Sequence, residues 1–243
     1  MNTEPDIPPP PLPHQPLKLP PDQRLALEPM QKPVDFMGVF ETVLRRPGQI
    51  LHALSTGSHR PAWWLGLLMV LGLALFGFLL GTFSGGTQLW ATPAKITGGV
   101  LASALICLPS FYIFLCLSGV EIRLSTACGL LLMALALTSL LLLALAPVVW
   151  LFTQATESPG FMGFLALGFW LVAISFGLQL IVAGAEKLGV TKSGYLLVWT
   201  TIFLVVTLQM STALRPILGT SDHLFPSERK FFIEHWISSL EGK

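Results

Sequence analysis

Two long apolar segments near the start of the chain constrain its fold more than any other feature. They are Trp63–Thr82 and Ile96–Leu117, and neither contains Asp, Glu, Lys, Arg or His. Each has about the 20 residues that a helix needs to cross a hydrocarbon core of roughly 30 Å. Lipid offers the backbone no hydrogen-bond partners, so such segments cross a membrane as helices. The sequence therefore predicts an integral membrane protein.

Three further apolar segments follow, and the composition agrees with them. Hydrophobic residues make up 53% of the chain and charged residues 11%, whereas a soluble domain carries about 25% charged residues. The predicted fold is an all-α integral membrane protein, a bundle of five transmembrane helices with flanking amphipathic interfacial helices. Within a transmembrane domain of residues 61–220, the spans are predicted at about residues 63–82, 96–117, 126–152, 161–183 and 195–214.

The segments that flank this domain have a different character. Residues 1–34 are predicted to be a disordered, proline-rich cytoplasmic tail, because 11 of the 19 prolines lie there. Its PxxP spacing, which recurs from Pro8 to Pro16, fits SH3- or WW-type grooves, although the same composition also suits a spacer. Residues 35–60 are predicted to form two short amphipathic helices, in the interface or packed on the bundle. Residues 221–243 are predicted to form another interfacial helix.

The distribution of positive charge predicts the orientation. Five spans place the termini on opposite sides of the membrane. With the N-terminus inside, the inner segments hold nine of the 14 Lys and Arg residues, and four of the five outer ones lie in the C-terminal tail. Cytoplasmic loops are enriched in Lys and Arg. We therefore expect a cytoplasmic N-terminus and an outward C-terminus in the plasma (inner) membrane of a bacterium.

Glycine and proline mark candidate packing and bending points. Gly77, Gly81 and Gly85 recur at four-residue spacing, which on a helix would line one face and allow a neighbouring backbone to approach closely. That neighbour would be another helix of the chain or a second copy. Pro109 is predicted to kink the second span, with Ser110 placed to bond the freed carbonyl.

A few polar residues at or within the membrane boundary are the candidate functional groups. They are Gln88, Lys95 and Arg215. Lys95 is expected to snorkel to the interface rather than bind a ligand, and Arg215 to cap the fifth helix, with a role in binding left open. Gln179 and Gln209 are expected to bond across helices rather than line a pathway.

The sequence offers little that could carry catalysis. No predicted span contains Asp or Glu, and all five histidines lie outside the spans, which argues against an intramembrane protease and a proton relay. Cys107, Cys116 and Cys128 are expected to be buried thiols, without a disulfide or a zinc site. We therefore expect no catalytic residues, no cofactor and no metal, and a protein that is not an enzyme.

Several short motifs combine glycine or proline with single polar residues: Phe76-Gly77, Gly81, Gln88, Lys95, Leu108-Pro109 and Leu214-Arg215-Pro216-Ile217-Leu218-Gly219. These motifs resemble those of the Yip1-domain-like multi-pass membrane proteins, in a bacterial branch of unassigned function. The resemblance covers roughly residues 36–220 and implies five spans with a cytoplasmic N-terminus. It implies no catalytic residues. The small GTPase partners of eukaryotic members are not implied, because their N-terminal segments differ from this one.

These observations favour a scaffold or an accessory subunit of a membrane protein complex. Its expected partners are the lipid bilayer and proteins that bind the proline-rich tail or the glycine-lined face, with a second copy of the chain as a further candidate. Net charge is +1, so nucleic acid is not expected. A small transporter or channel component is the alternative, and it would require polar side chains that converge on one interior line. An intramembrane enzyme is the third possibility, and it would need a catalytic pair from a loop.

Overall fold

The protein, described here from a computed structural model, has helices and no strands in residues 25–190 and 194–213, the part of the chain that the structure describes. Arg215 and the predicted helix over 221–243 lie outside these residues. The described part contains seven helices: α1 (Phe36–Arg45), α2 (Pro47–Ser55), α3 (Arg60–Gly81), α4 (Gln88–Leu117), α5 (Leu124–Ala155), α6 (Pro159–Lys187) and α7 (Gly194–Ala213).

Four of these helices, α3 to α6, are long and apolar enough to cross a membrane. They have 22, 30, 32 and 29 residues, and they contain the first four predicted spans. The fold class is therefore that of a helical integral membrane protein. The fifth predicted span coincides with α7, an apolar helix of 20 residues.

The central helices of the bundle are α3 and α5. Half of the apolar window of α3 and 61% of that of α5 are buried, against 28% for α4 and for α6. Helix α4 packs on α3, α6 packs on α5, and α7 packs chiefly on α4. Helices α4, α6 and α7 therefore expose long apolar faces.

Small residues bring the central helices together. A Cβ atom added to Gly72 of α3 would lie 2.8 Å from the Ser139 hydroxyl of α5. One added to Gly177 of α6 would lie 2.8 Å from the Ala134 carbonyl of α5. Side chains gain no hydrophobic energy by leaving lipid for protein, so membrane helices associate through close contacts of this kind.

Helices α1 and α2 form where the sequence predicts two short helices. Asp35 caps α1, because its carboxylate accepts a hydrogen bond from the Gly38 amide at 2.7 Å. In α2, Ile50, Leu51 and Leu54 are all buried in the core. Helix α2 therefore packs on the bundle, which is the second of the two arrangements expected for this segment.

The predicted disordered tail extends too far, because residues 25–34 pack on the helices that follow. The Trp64 indole donates a hydrogen bond to the Val34 carbonyl at 3.2 Å. The Gln31 amide donates to the Gln49 side-chain oxygen at 3.4 Å. The sequence reading missed these contacts because their partners lie in later helices.

Charged side chains add to the contact between this segment and α1. Lys32 forms an ion pair with Glu41, and the Arg45 Nε atom lies 3.5 Å from the same carboxylate. The hydrogen bond from Lys32 lowers the pKa of Glu41. All three side chains reach solvent, where such pairs contribute little to stability.

The packing of α6 on α5 can be tested by the substitution Gly177→Ala. The added methyl group would meet the Ala134 carbonyl and the Thr138 hydroxyl, so we expect the free energy of unfolding to fall by about 1–3 kcal/mol. Gly66→Ala is the control, because no atom lies within 4 Å of the position of its Cβ. The measurement is unfolding in detergent, and equal stability of the two variants would contradict the packing.

Candidate functional site

Helices α3 and α4 are joined by a tight turn over residues 82–87. Gly85 and Gly86 adopt φ angles of +64° and +55°, a left-handed conformation that glycine adopts without steric penalty. The Gln88 amide then bonds to the Gly85 carbonyl at 3.2 Å. Helix α4 consequently begins at Gln88, eight residues before the span predicted from Ile96.

Two of the three predicted packing glycines lie at the contact between α3 and α4. A Cβ atom on Gly77 would lie 2.7 Å from the Pro93 Cα atom, and one on Gly81 would lie 2.9 Å from the Gln88 carbonyl oxygen. The prediction for Gly85 is wrong, because α3 ends at Gly81 and no atom lies within 4 Å of the position of its Cβ. Gly77 and Gly81 thus serve packing within the chain.

The first turns of α4 carry a row of buried polar side chains, Gln88, Thr92 and Lys95. Their spacing of four and three residues places them on one helix face. Their exposed fractions are 4%, 0% and 6%. The expectation that Lys95 snorkels to the surface is wrong, because the helix begins earlier than predicted and this face turns into the protein.

Two buried polar atoms of α4 have no hydrogen-bond partner among the residues that the structure describes. They are the side-chain oxygen of Gln88, which belongs to this row, and that of Thr97, which lies on another face of the helix. An unpaired buried polar group costs about 1–3 kcal/mol. One face at the start of α4 therefore combines a buried cation with the side-chain oxygen of Gln88, which water or a polar ligand would satisfy.

Pro109 lies inside α4, which continues through it as one helix. A proline leaves the carbonyl four residues earlier without its helical bond, which here is that of Leu105. Ser110 does not bond that carbonyl, as the sequence suggested, because its hydroxyl donates to Cys107 at 2.8 Å. The Trp199 indole of α7 donates to the same Cys107 carbonyl at 3.3 Å.

Trp199 joins α7 to α4. The indole is fully buried, its ring centroid lies 4.3 Å from that of Phe111, and it stacks on Phe203 at 5.2 Å. The sequence analysis missed this cluster. The available signal was the four-residue spacing of Trp199 and Phe203, which places both rings on one face of α7.

The remaining polar candidates are scattered. Gln179 is exposed on α6, so the expected bond across helices is not made within the described part of the chain. Gln209 is half-buried on α7 and has an interaction partner. Arg215 lies outside the described residues.

The three cysteines are free thiols in different surroundings. Cys107 is buried and Cys128 is half-buried, but Cys116 is exposed, so the prediction of a buried thiol is wrong there. Cys116 and Tyr112 line an open groove of about 600 Å³ that also contains Glu121 and Arg123. Within residues 25–190 and 194–213, no group of three or more His, Cys, Asp or Glu side chains could hold a metal ion.

Comparison of the chain with protein-family models, curated proteins and solved structures found no match. The class that the fold supports is therefore a helical integral membrane protein. The resemblance to Yip1-domain-like proteins stays a prediction.

The junction of α7 with α4 can be tested by Trp199→Phe. Phenylalanine retains an aromatic ring but removes the indole donor to Cys107, so we expect the free energy of unfolding to fall by about 1 kcal/mol. Trp150→Phe is the control, because Trp150 is 50% exposed. Unfolding in detergent measures both variants, and an equal effect at the two positions would show that the buried bond contributes nothing.

Proposed function

We propose that this protein is a non-enzymatic multi-pass scaffold or accessory subunit of a membrane protein complex. The observation that carries the proposal is how the polar groups inside the bundle are bonded. The hydroxyls of Ser103, Thr138 and Thr207 are buried and donate to carbonyls four residues earlier in their own helices. A transport pathway needs polar groups that face a shared cavity, whereas these are bonded within their own helices.

The outer surface supports the same proposal. Leu105 of α4, Phe164 of α6 and Leu197 of α7 are 72%, 66% and 68% exposed. Such side chains contact lipid or the spans of another membrane protein. Because the peripheral helices expose long apolar faces, the bundle offers several surfaces for partners without disturbing its centre.

The proposal includes five spans, with α7 as the fifth, a cytoplasmic N-terminus and a bacterial inner membrane. Charge supports this orientation. Arg60, Arg123 and Lys187 lie at helix ends on one side of the bundle, whereas the turn between α5 and α6 on the other side contains Glu157. Positive residues favour the cytoplasmic side.

The proline-rich tail is the first proposed partner site. Its last residues reach the bundle at α2, where a Cβ atom on Gly48 would lie 2.5 Å from the Ala26 carbonyl. The tail therefore joins the bundle next to α2, on the side that the positive charge assigns to the cytoplasm. A cytoplasmic protein with a groove for PxxP segments could bind there.

A pull-down in mild detergent tests the scaffold function. The full-length protein is compared with a variant that lacks residues 1–24, because residues 25–34 pack on the bundle and must be kept. A full-length variant with Pro8→Ala and Pro13→Ala, which disrupts every PxxP pair between Pro8 and Pro16, is the matched control for tail length. We expect stoichiometric partners with the full-length protein, identified by mass spectrometry.

Each pattern of loss has a distinct meaning. Partners lost from both variants would assign binding to the PxxP motif, and partners lost only on deletion would assign it to another part of the tail. Partners retained by both would place the binding surface on the bundle. A full-length protein that retains no stoichiometric partner would contradict the scaffold function.

A transporter component is the second candidate, and the start of α4 favours it. Lys95 is a buried cation, and the side-chain oxygen of Gln88 on the same helix face has no partner among the described residues. A small anion or a polar solute could bind there if water reached it.

Thiol labelling separates the two functions. Lys95→Cys and Thr87→Cys are made in a protein that carries Cys107→Ala, Cys116→Ala and Cys128→Ala. Thr87 is exposed in the turn before α4. A maleimide reacts with the thiolate, which forms poorly where water is excluded. We therefore expect a water-soluble maleimide to label the Thr87→Cys protein roughly ten times faster, or more, than the Lys95→Cys protein. Equal rates would show that water reaches Lys95 and would favour transport.

A further inference from the structure

One face of α6 is turned away from the bundle and has an ordered pattern. Gly168, Val172, Ser175 and Gln179 follow one another at spacings of four, three and four residues, so they form one stripe along the helix. The opposite face contains Gly177, which packs on α5. The stripe therefore faces the surroundings of the bundle.

Gln179 is the unusual member of this stripe. Its side chain is exposed and makes no hydrogen bond with any residue that the structure describes. It lies eight residues before the end of α6 at Lys187, about 12 Å along the helix. The next residues, Leu180-Ile181-Val182-Ala183, are apolar, and the first charged residue after them is Glu186, so this position lies within the apolar part of the span. A carboxamide has two donors and an acceptor that lipid cannot satisfy.

We propose that α6 is the interface of a homodimer, in which Gln179 of one copy bonds to Gln179 of the other. Two copies inserted in one membrane have the same orientation, so a two-fold axis normal to the membrane can bring the same residue of each copy together. The carboxamide is both donor and acceptor, which makes two copies self-complementary at this position.

The rest of the stripe suits such an interface. Spacings of four, three and four residues are typical of the interface positions of two helices that cross at a small angle and interlock their side chains. A Cβ atom on Gly168 would meet nothing within 4 Å, and Ser175 is also small. Both residues allow a second helix to approach closely. Glu186 follows on the same stripe, but at the helix end, where water screens the two carboxylates.

The inference goes beyond the proposed function and does not depend on it. The scaffold function concerns other proteins that bind the tail or the bundle, whereas the dimer concerns one helix face and the chain itself. A monomeric protein that still captures partners would overturn only the dimer, and a dimer without other partners would contradict only the scaffold.

Cysteine cross-linking in proteoliposomes tests the interface. The full-length protein, with its three cysteines replaced by alanine, receives either Ser175→Cys or Leu105→Cys. Leu105 is 72% exposed on α4, so the yield of dimer from the Leu105→Cys protein reports random collisions. Under mild oxidation at low protein-to-lipid ratio, we expect the Ser175→Cys protein to form a disulfide-linked dimer and the Leu105→Cys protein to remain monomeric. Equal yields of dimer would overturn the proposal.

The role of Gln179 is tested in the Ser175→Cys protein. Gln179→Leu should raise the dimer dissociation constant about tenfold, as expected for loss of hydrogen bonds between helices in lipid. Gln154→Leu is the matched control, because Gln154 is exposed at the end of α5 and should leave the dimer unchanged. An unchanged dissociation constant for Gln179→Leu would overturn the role of the carboxamide. Capture of a different membrane protein that is lost in Gln179→Leu, with the pure protein monomeric, would assign the face to that partner instead.

Discussion

Lipid offers no hydrogen-bond partners, and the structure of this protein depends on that constraint. Each long helix satisfies most of its own backbone, and buried hydroxyls such as those of Ser103 and Thr138 bond to carbonyls of their own helices. Packing between helices then depends on the complementary shapes of their surfaces. Gly72, Gly77 and Gly177 lie where backbones or small side chains come closest. Small residues let the helices approach closely, and this close packing holds the bundle together with few polar bonds between spans.

The long helices could be predicted from the sequence because length and hydropathy suffice to identify a span. The start of α4 could not, because Gln88, Pro93 and Lys95 have the composition of a polar connector. In the structure Gln88 and Lys95 face the protein and are buried. Hydropathy records how polar a segment is, but not which way its side chains point. The same limit explains Gly85, which follows the four-residue pattern after the helix has ended.

Contacts between distant segments could not be predicted from the sequence for a different reason. The bond from Trp199 to Cys107 joins residues 92 positions apart, and it can be inferred only when α4 and α7 are known to be neighbours. The burial of Leu51 and the contact between Trp64 and Val34 depend on tertiary packing in the same way. Amphipathic periodicity identified α1 and α2 as helices with one apolar face. It could not show whether that face contacts the membrane interface or the rest of the protein.

The position of α7 at the edge of the bundle has a consequence for biogenesis. The ribosome synthesises α3 to α6 first, so the central pair and both of its flanking helices are complete before α7 emerges. Until then Phe111 and the Cys107 carbonyl lack their contacts with Trp199. Docking of Trp199 therefore completes assembly, and it gives quality-control proteases a structural difference between nascent and finished chains. A chain that stops before α7 would lack the aromatic contact and the indole donor that Trp199 brings to α4.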